Sequence, residues 1–201
     1  MQIENNIIVS FDDDDKHLIV PKNVVGMDYF VSDMHGEAFE SVAVEEGNKH
    51  FYVQDGCLVW RDKKALMIAA KGAKIPKDGS VRKIACGAFM NHENLTEIEI
   101  PAAIQEIRYS AFANTGLEKV TLNEGLKVLD AYAFGFNDHL QELAIPKSVK
   151  KIITYDILEQ VTMIAESGYR NKVYHVYKNS RAYEWARMKG LKIKLREEGE
   201  K

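Results

Sequence analysis

Cysteine is nearly missing from this chain: Cys57 and Cys86 are the only two among 201 residues. They lie 29 positions apart without a C-x-x-C spacing, which excludes a disulfide framework and offers no zinc signature. Each neighbours apolar residues and reads as a small buried filler. Long hydrophobic runs are also missing. None approaches the roughly 18 residues that a spanning helix needs, so membrane insertion is not expected. Nor is there a basic excess, since 27 Lys and Arg against 30 Asp and Glu give a net charge of −3. Nucleic acid and anionic membranes both call for a basic face, so neither is expected as a partner. The opening Met1-Gln-Ile-Glu-Asn-Asn lacks the basic start and apolar centre of a secretory signal. The chain as written is therefore cytoplasmic, or belongs at the cell surface or outside if a leader was removed, and the compartment stays open.

Catalytic signatures are missing as well. There is no G-x-S-x-G, P-loop, dinucleotide fingerprint or H-E-x-x-H, so no catalytic, cofactor or metal site is expected. The six histidines (His17, His35, His50, His92, His139 and His175) are scattered. His92 and His139 fall in loops and read as solvated. Four consecutive acids, Asp12 to Asp15, miss the alternating ligands, central Gly and distal Glu of a calcium loop and read as a solvated turn. An enzyme would need His35, His50 and Asp55 gathered around one cleft.

What the chain has instead is repetition. Between Ile75 and Ile152 the apolar residues fall into columns. Ile84, Ile107, Leu129 and Ile152 form one, at spacings of 23, 22 and 23. Ala88-Phe89, Ala111-Phe112 and Ala133-Phe134 form a second, and Leu95, Leu117 and Leu140 a third. A fixed period in the twenties predicts a solenoid whose units bury their apolar faces against their neighbours. In Leu95 to Ile100 the period is two, with Ile98 and Ile100 inward and Glu97 and Glu99 outward. Pro101 and Pro146 end such strands, because proline cannot donate to a ladder. A small Ala then lets the chain pack closely while the next Phe fills the space between coils.

Outside this stretch the pattern is looser. Residues 1 to 20 read as two strands around a polar tip, Asp12 to Lys16. Shifting by 50 residues lays Ile3 to Val9 over Val53 to Val59 and Ala38-Phe39 over Ala88-Phe89, so a hairpin followed by a solenoid unit occurs twice. The second hairpin has an early bend at Asp55-Gly56, strands Cys57 to Trp60 and Ala65 to Ala69, and a turn between them. Ser41 to Val44 is the strand of a first, degenerate unit. After Ile152, Val161 to Ile164 reads as a further coil and Lys172 to Tyr177 as an edge strand. A helix from Arg181 to Lys189 is capped by Ser180 and ended by Gly190, with Ala182, Ala186 and Met188 inward and Tyr183 and Trp185 flanking. Leu191 to Leu195 is a last strand. The expectation is one mostly β, α+β solenoid domain over 1–201. It has a degenerate repeat with two β-hairpins (1–74), regular repeats (75–153), a β-α-β C-terminal cap (154–195) and a charged tail (196–201).

The repeated unit resembles the BspA-like leucine-rich repeats, whose units read roughly L-x-x-I-x-I-P-x-x-I-x-x-I-x-x-x-A-F. Leu95 to Phe112 and Leu117 to Phe134 match best, and Asn123 stands where that pattern has Pro. The resemblance implies leucine-rich-repeat units of about 22–23 residues carrying hairpin inserts. It also implies a bacterial protein that binds other proteins or adheres at a surface.

Candidate contact residues lie on the outward strand positions: Glu97, Glu99, Lys119, Thr121 and Glu142. Trp60, Tyr29 and Phe30, in the irregular N-terminal half, are less explained by the repeat columns and form a second set. A ribbon of Arg82-Lys83, Gln105-Glu106, Lys127 and Lys150-Lys151 is mildly basic. The leading expectation is a non-catalytic interaction or scaffold module with a protein partner and no cofactor. A surface adhesin, and a structural protein that self-associates as a homodimer through edge strands, are the alternatives.

Overall fold

The computed structural model describes residues 1–12, 14–28, 31, 38–130, 132–153 and 169–199. At the N-terminus β1 (Gln2–Glu4) and β2 (Ile7–Ser10) form an antiparallel hairpin. Its turn is Asn5-Asn6, both at positive φ (51° and 63°), the backbone that matches the twist of a two-residue hairpin. The next strands are β3 (His17–Val20), β4 (Gly26–Met27) and β5 (Ser41–Val44). The hairpin expected across Asp12 to Lys16 does not form: β2 pairs with β1 and β4, whereas β3 pairs in parallel with β5. Leu18 and Val20 are buried and align one coil later with Val42 and Val44, so β3 is a solenoid rung. The acidic run carries the chain from one sheet to the other.

The second hairpin is β6 (Phe51–Gln54) and β7 (Cys57–Trp60), followed by β8 (Ala65–Ala69) antiparallel to β7. Asp55 and Gly56 repeat the Asn5-Asn6 turn at φ 51° and 79°, which gives the 50-residue echo its structural meaning. Two hydrophobic cores meet at this wall. Cys57, Val59, Leu66 and Ala69 face the solenoid core, while Leu58, Ala65, Met67 and Ile68 face a second core with Ile8, Leu18, Val20 and Phe39. A register shift between Leu58 and Val59 lets neighbouring Met67 and Ile68 join the same core. Strands covered on both faces read as continuous apolar runs, and Ala65-Leu-Met-Ile-Ala69 is one.

The regular coils carry strands on two sides. One side comprises short strands β9 (Lys83–Ile84), β11 (Glu106–Ile107), β13 (Val128–Asp130) and β15 (Lys151–Ile153). They stack in parallel, with β8, β7 and β6 extending the same seven-stranded sheet. The other side carries β10 (Glu97–Ile100), β12 (Lys119–Leu122) and β14 (Glu142–Ala144), one per coil, of which β10 and β12 pair in parallel while β14 pairs onward in the chain. The Ala-Phe turns close the third side. Phe89 N–H donates to Ala111 O, and Phe112 N–H to Ala133 O, both at 2.8 Å. Their rings form a column: Phe89 and Phe112 stack at 5.0 Å, Phe112 and Phe134 at 5.1 Å, nearly parallel. The residue two after each Phe adopts positive φ: Asn91 (63°), Asn114 (52°) and Phe136 (55°). Asn tolerates that backbone, and an aromatic adopts it at a greater cost. Asn114 Nδ2 donates to Asn91 Oδ1 (2.8 Å), whereas Phe136 is 42% exposed. Phe136→Asn is expected to raise stability by about 0.5–1 kcal/mol, read as a higher melting temperature; an unchanged or lower one would show that the Phe ring contributes packing there.

Beyond a 3₁₀ turn (Tyr169–Asn171) come β16 (Val173–Tyr177), α1 (Arg181–Met188) and β17 (Lys192–Arg196). Ser180 Oγ accepts from Tyr183 N–H at 3.1 Å, which caps α1. Three expectations are corrected here. β16 is the middle of a parallel sheet ordered β14-β16-β17, not an edge. Trp185 lies inward with Ala182 and Ala186, meeting Tyr174 edge-on at 5.2 Å. Met188, on the far side of a helix turning about 100° per residue, is 70% exposed. The coil expected at Val161 to Ile164 lies outside the described residues.

Candidate functional site

The outward residues of β10, β12, β14, β16 and β17 share one face, and this is where Glu97, Glu99, Lys119, Thr121 and Glu142 come together. Register fixes the rows: Glu97 beside Lys119, Glu99 beside Thr121, Glu142 beside Val173 and Lys192, and Ala144 beside His175 and Lys194. Charge runs along the axis. At the β10 end, Glu97 pairs with Lys119 (3.6 Å) and Glu99 with Lys77 (2.9 Å). The Lys77 ammonium, helped by the Asn123 amide, holds the Glu99 carboxyl below the usual carboxylate range. Asn123 also donates to Ile100 O at 3.1 Å, a bond that the Pro of the repeat pattern could not make. In the middle, His175 Nε2 meets Glu142 at 3.0 Å. At the β17 end the face turns basic with Lys192, Lys194 and Arg196, and the Arg196 guanidinium lies 5.0 Å over the Tyr177 ring.

β12 and β14 are neighbours without forming a ladder, because the outward rungs divide into a β10-β12 pair and the β14-β16-β17 sheet. A depression of about 990 Å³ lies across this division. Thr121, Glu124, Ala144, His175, Tyr177 and Arg196 are among the residues that line it. Glu124 is itself committed: its carboxylate accepts from the Lys147 and Ser148 backbone amides, both at 2.9 Å.

Sequence reasoning missed His175, Tyr177, Lys192, Lys194 and Arg196. The signal was present. Val173-Tyr-His-Val-Tyr177 and Lys192-Ile-Lys-Leu-Arg196 have the same period of two as Glu97 to Ile100, but reading them as a cap separated them from the face. The sheet therefore has an aromatic that the regular repeats alone did not supply.

The second candidate set is not part of this face. Trp60 lies against Phe51 (5.4 Å) and over Gly26, partly buried in the N-terminal core. Tyr29 and Phe30 lie outside the described residues. On the ribbon along the short strands, Glu106 intervenes between the cations, pairing with Lys83 (3.2 Å) and Arg108 (3.5 Å). His50 pairs with Asp62 at 3.2 Å rather than with Asp55, and His35 lies outside the described residues. No group of three or more His, Cys, Asp or Glu suited to a metal occurs among the described residues. No helix among them is long and apolar enough to cross a membrane.

His92 is not a solvated loop residue. It is buried beside Phe89 (5.5 Å), and Nε2–H donates to Ala69 O at 3.1 Å. Burial pushes its pKa below the ordinary histidine value, only partly opposed by that bond. The unfolded chain therefore binds a proton more readily than the folded one. Stability is complete above about pH 6.5 and falls as pH drops below it. For His92→Gln we expect the variant to gain on the wild type between pH 7.5 and pH 5 in urea unfolding; an identical gap at both values would rule this linkage out. Cys57 is likewise inert: burial pushes its thiol up to about 12, and Sγ–H donates to Lys74 O.

The family profile described as "BspA type Leucine rich repeat region" matches residues 69–183 in six copies. Among solved structures, the chain is similar to the pneumococcal vaccine antigen PcpA at 18% identity, covering 90% of this chain and 56% of that one, with a TM-score of 0.61. It is also similar to a leucine rich cell surface protein from Faecalibacterium prausnitzii at 16% identity, covering 92% and 48%, with a TM-score of 0.68. The chain spans about half the length of these proteins, and at such identities the likeness is one of fold. No curated protein sequence matches the chain.

Proposed function

We propose, from the premise that the chain belongs to the BspA-type leucine-rich repeat family, that it is a non-catalytic module binding a protein through the outward face of β10 to β17. The observation that carries this reading is the face itself. Five strands present charged and hydroxyl side chains, mixed in sign on β10, β12 and β14 and basic on β17, with Tyr177 and Arg196 lining the depression across β12 and β14. Tyr and Arg are favoured at binding hot spots, and the placing of charge selects orientation and partner. A rigid sheet presents such groups without the entropy cost of ordering a loop.

A photo-crosslinking residue placed at Thr121 should trap a protein partner from host matrix proteins or bacterial lysate, and one placed at Lys151 on the short-strand ribbon should not. Charge reversal at Glu97 and Glu99 is expected to weaken capture about tenfold. Equal capture from both positions would remove the face from consideration. The names of the two solved proteins, a vaccine antigen and a cell surface protein, favour a version in which the partner is met outside the cell. Surface proteolysis of intact cells distinguishes that version from an internal scaffold.

A further inference from the structure

We infer that β17 is an acceptor edge for an extended peptide strand in which acidic and aliphatic residues alternate, added in parallel as the next rung of the outward ladder. This uses the backbone edge rather than the face and does not depend on the face being a binding surface.

β17 is bonded along one side only. Lys192 to Arg196 pair residue by residue with Val173 to Tyr177, and among the described strands nothing lies on the other side. Its inward row is incomplete. Val176 is fully buried, yet Leu195, its partner in register, is 53% exposed, so the aliphatic rung ends open to water. Its outward row is unbalanced too. At the β10 end each outward acid has a cation, whereas no ion pair involves Lys192 or Lys194 among the described residues. A strand laid on this edge would satisfy the backbone, cover Leu195 and neutralise both lysines at once.

The chain itself shows the chemistry that fits. β10 reads Glu-Ile-Glu-Ile and lies in parallel beside β12, with Glu97 against Lys119 on the outer face and Ile98 and Ile100 against Val120 and Leu122 within. β17 reads Lys-Ile-Lys-Leu-Arg, the β12 pattern with two more cations. In strand addition the main chain supplies affinity and alternate side chains supply choice. Here the choice is acid opposite Lys192 and Lys194 and aliphatic opposite Ile193 and Leu195. The same lysines disfavour a second copy of the edge, since an antiparallel β17 pair would set Lys194 against Lys194.

The test is a labelled peptide with the β10 sequence, Leu95 to Pro101, added to the whole protein and read by fluorescence anisotropy and by amide hydrogen exchange. The expected result is saturable binding with slowed exchange confined to the backbone of residues 192–196. Replacing both Glu of the peptide by Lys should abolish binding, and the double substitution Lys192→Glu, Lys194→Glu should weaken the acidic peptide about tenfold while admitting the basic one. Circular dichroism confirms that the variant folds. Binding without slowed exchange at β17, no acidic-peptide binding at millimolar concentration, or exchange already slowed by dimerisation of the protein alone would each overturn the proposal.

Discussion

Replacing Gly125 by Ala is expected to cost about 3 kcal/mol or more, a large share of a typical domain's stability. Two effects combine there. The residue sits at φ +120°, a backbone that side-chain-bearing residues rarely adopt. A β-carbon at that position would also fall on the carbonyl oxygen of Ala102 in the preceding coil, deep inside van der Waals contact. Neither side can give way easily. Gly125 N–H is held by Ser148 Oγ at 3.0 Å, and the Ala102 oxygen belongs to the backbone beside Pro101. Gly47→Ala separates the two contributions, because Gly47 has φ +90° with open space around it. That variant should lose only about 1–2 kcal/mol. Urea midpoints for the pair decide the matter, and equal losses would mean that the coils do not approach as closely as the structure shows.

Phe112→Ala should have the other large effect, about 3–5 kcal/mol, as expected for emptying a fully buried aromatic site. Phe112 is the middle ring of the column, with Phe89 on one side and Phe134 on the other. A solenoid is held together by interfaces between adjacent units, so a cavity at a central interface should weaken cooperation between the two ends. The chain's two tryptophans report those ends separately. Trp60 packs against the N-terminal core and Trp185 lies on α1 near the other end of the chain. In Phe112→Ala combined with either Trp60→Phe or Trp185→Phe, the remaining tryptophan should unfold at its own denaturant concentration. In the parent protein the two should coincide. Coincident transitions in both backgrounds would show that the column is not what couples the coils.

These expectations draw on features of unequal legibility. The Phe column could be read directly, because identical residues at a fixed interval must occupy equivalent places in stacked units. Gly125 could not be read in full. A lone Gly after a strand is consistent with a turn at positive φ, but the close carbonyl of the neighbouring coil is a through-space fact. Gly116 makes the point more sharply: a β-carbon there would fall on the Glu93 carbonyl oxygen, so its reason is space. His92 looked like a loop residue because it lies among polar neighbours in sequence. The turn of its own coil set it against Phe89, and coil stacking gave it the Ala69 carbonyl.

The sequence by itself determined the coil length, the inward columns and the hairpin turn at Asp55-Gly56, since each depends on residues close together along the chain or on a strict repeat. Tertiary structure decided which strands share a ladder. It joined β3 to β5, buried β8 on both faces, and continued the outward face through β16 to the basic edge at β17. Backbone donors and acceptors are alike at every position, so a strand's neighbour is selected by which apolar surfaces can be covered together, and that is settled only when the whole chain has packed.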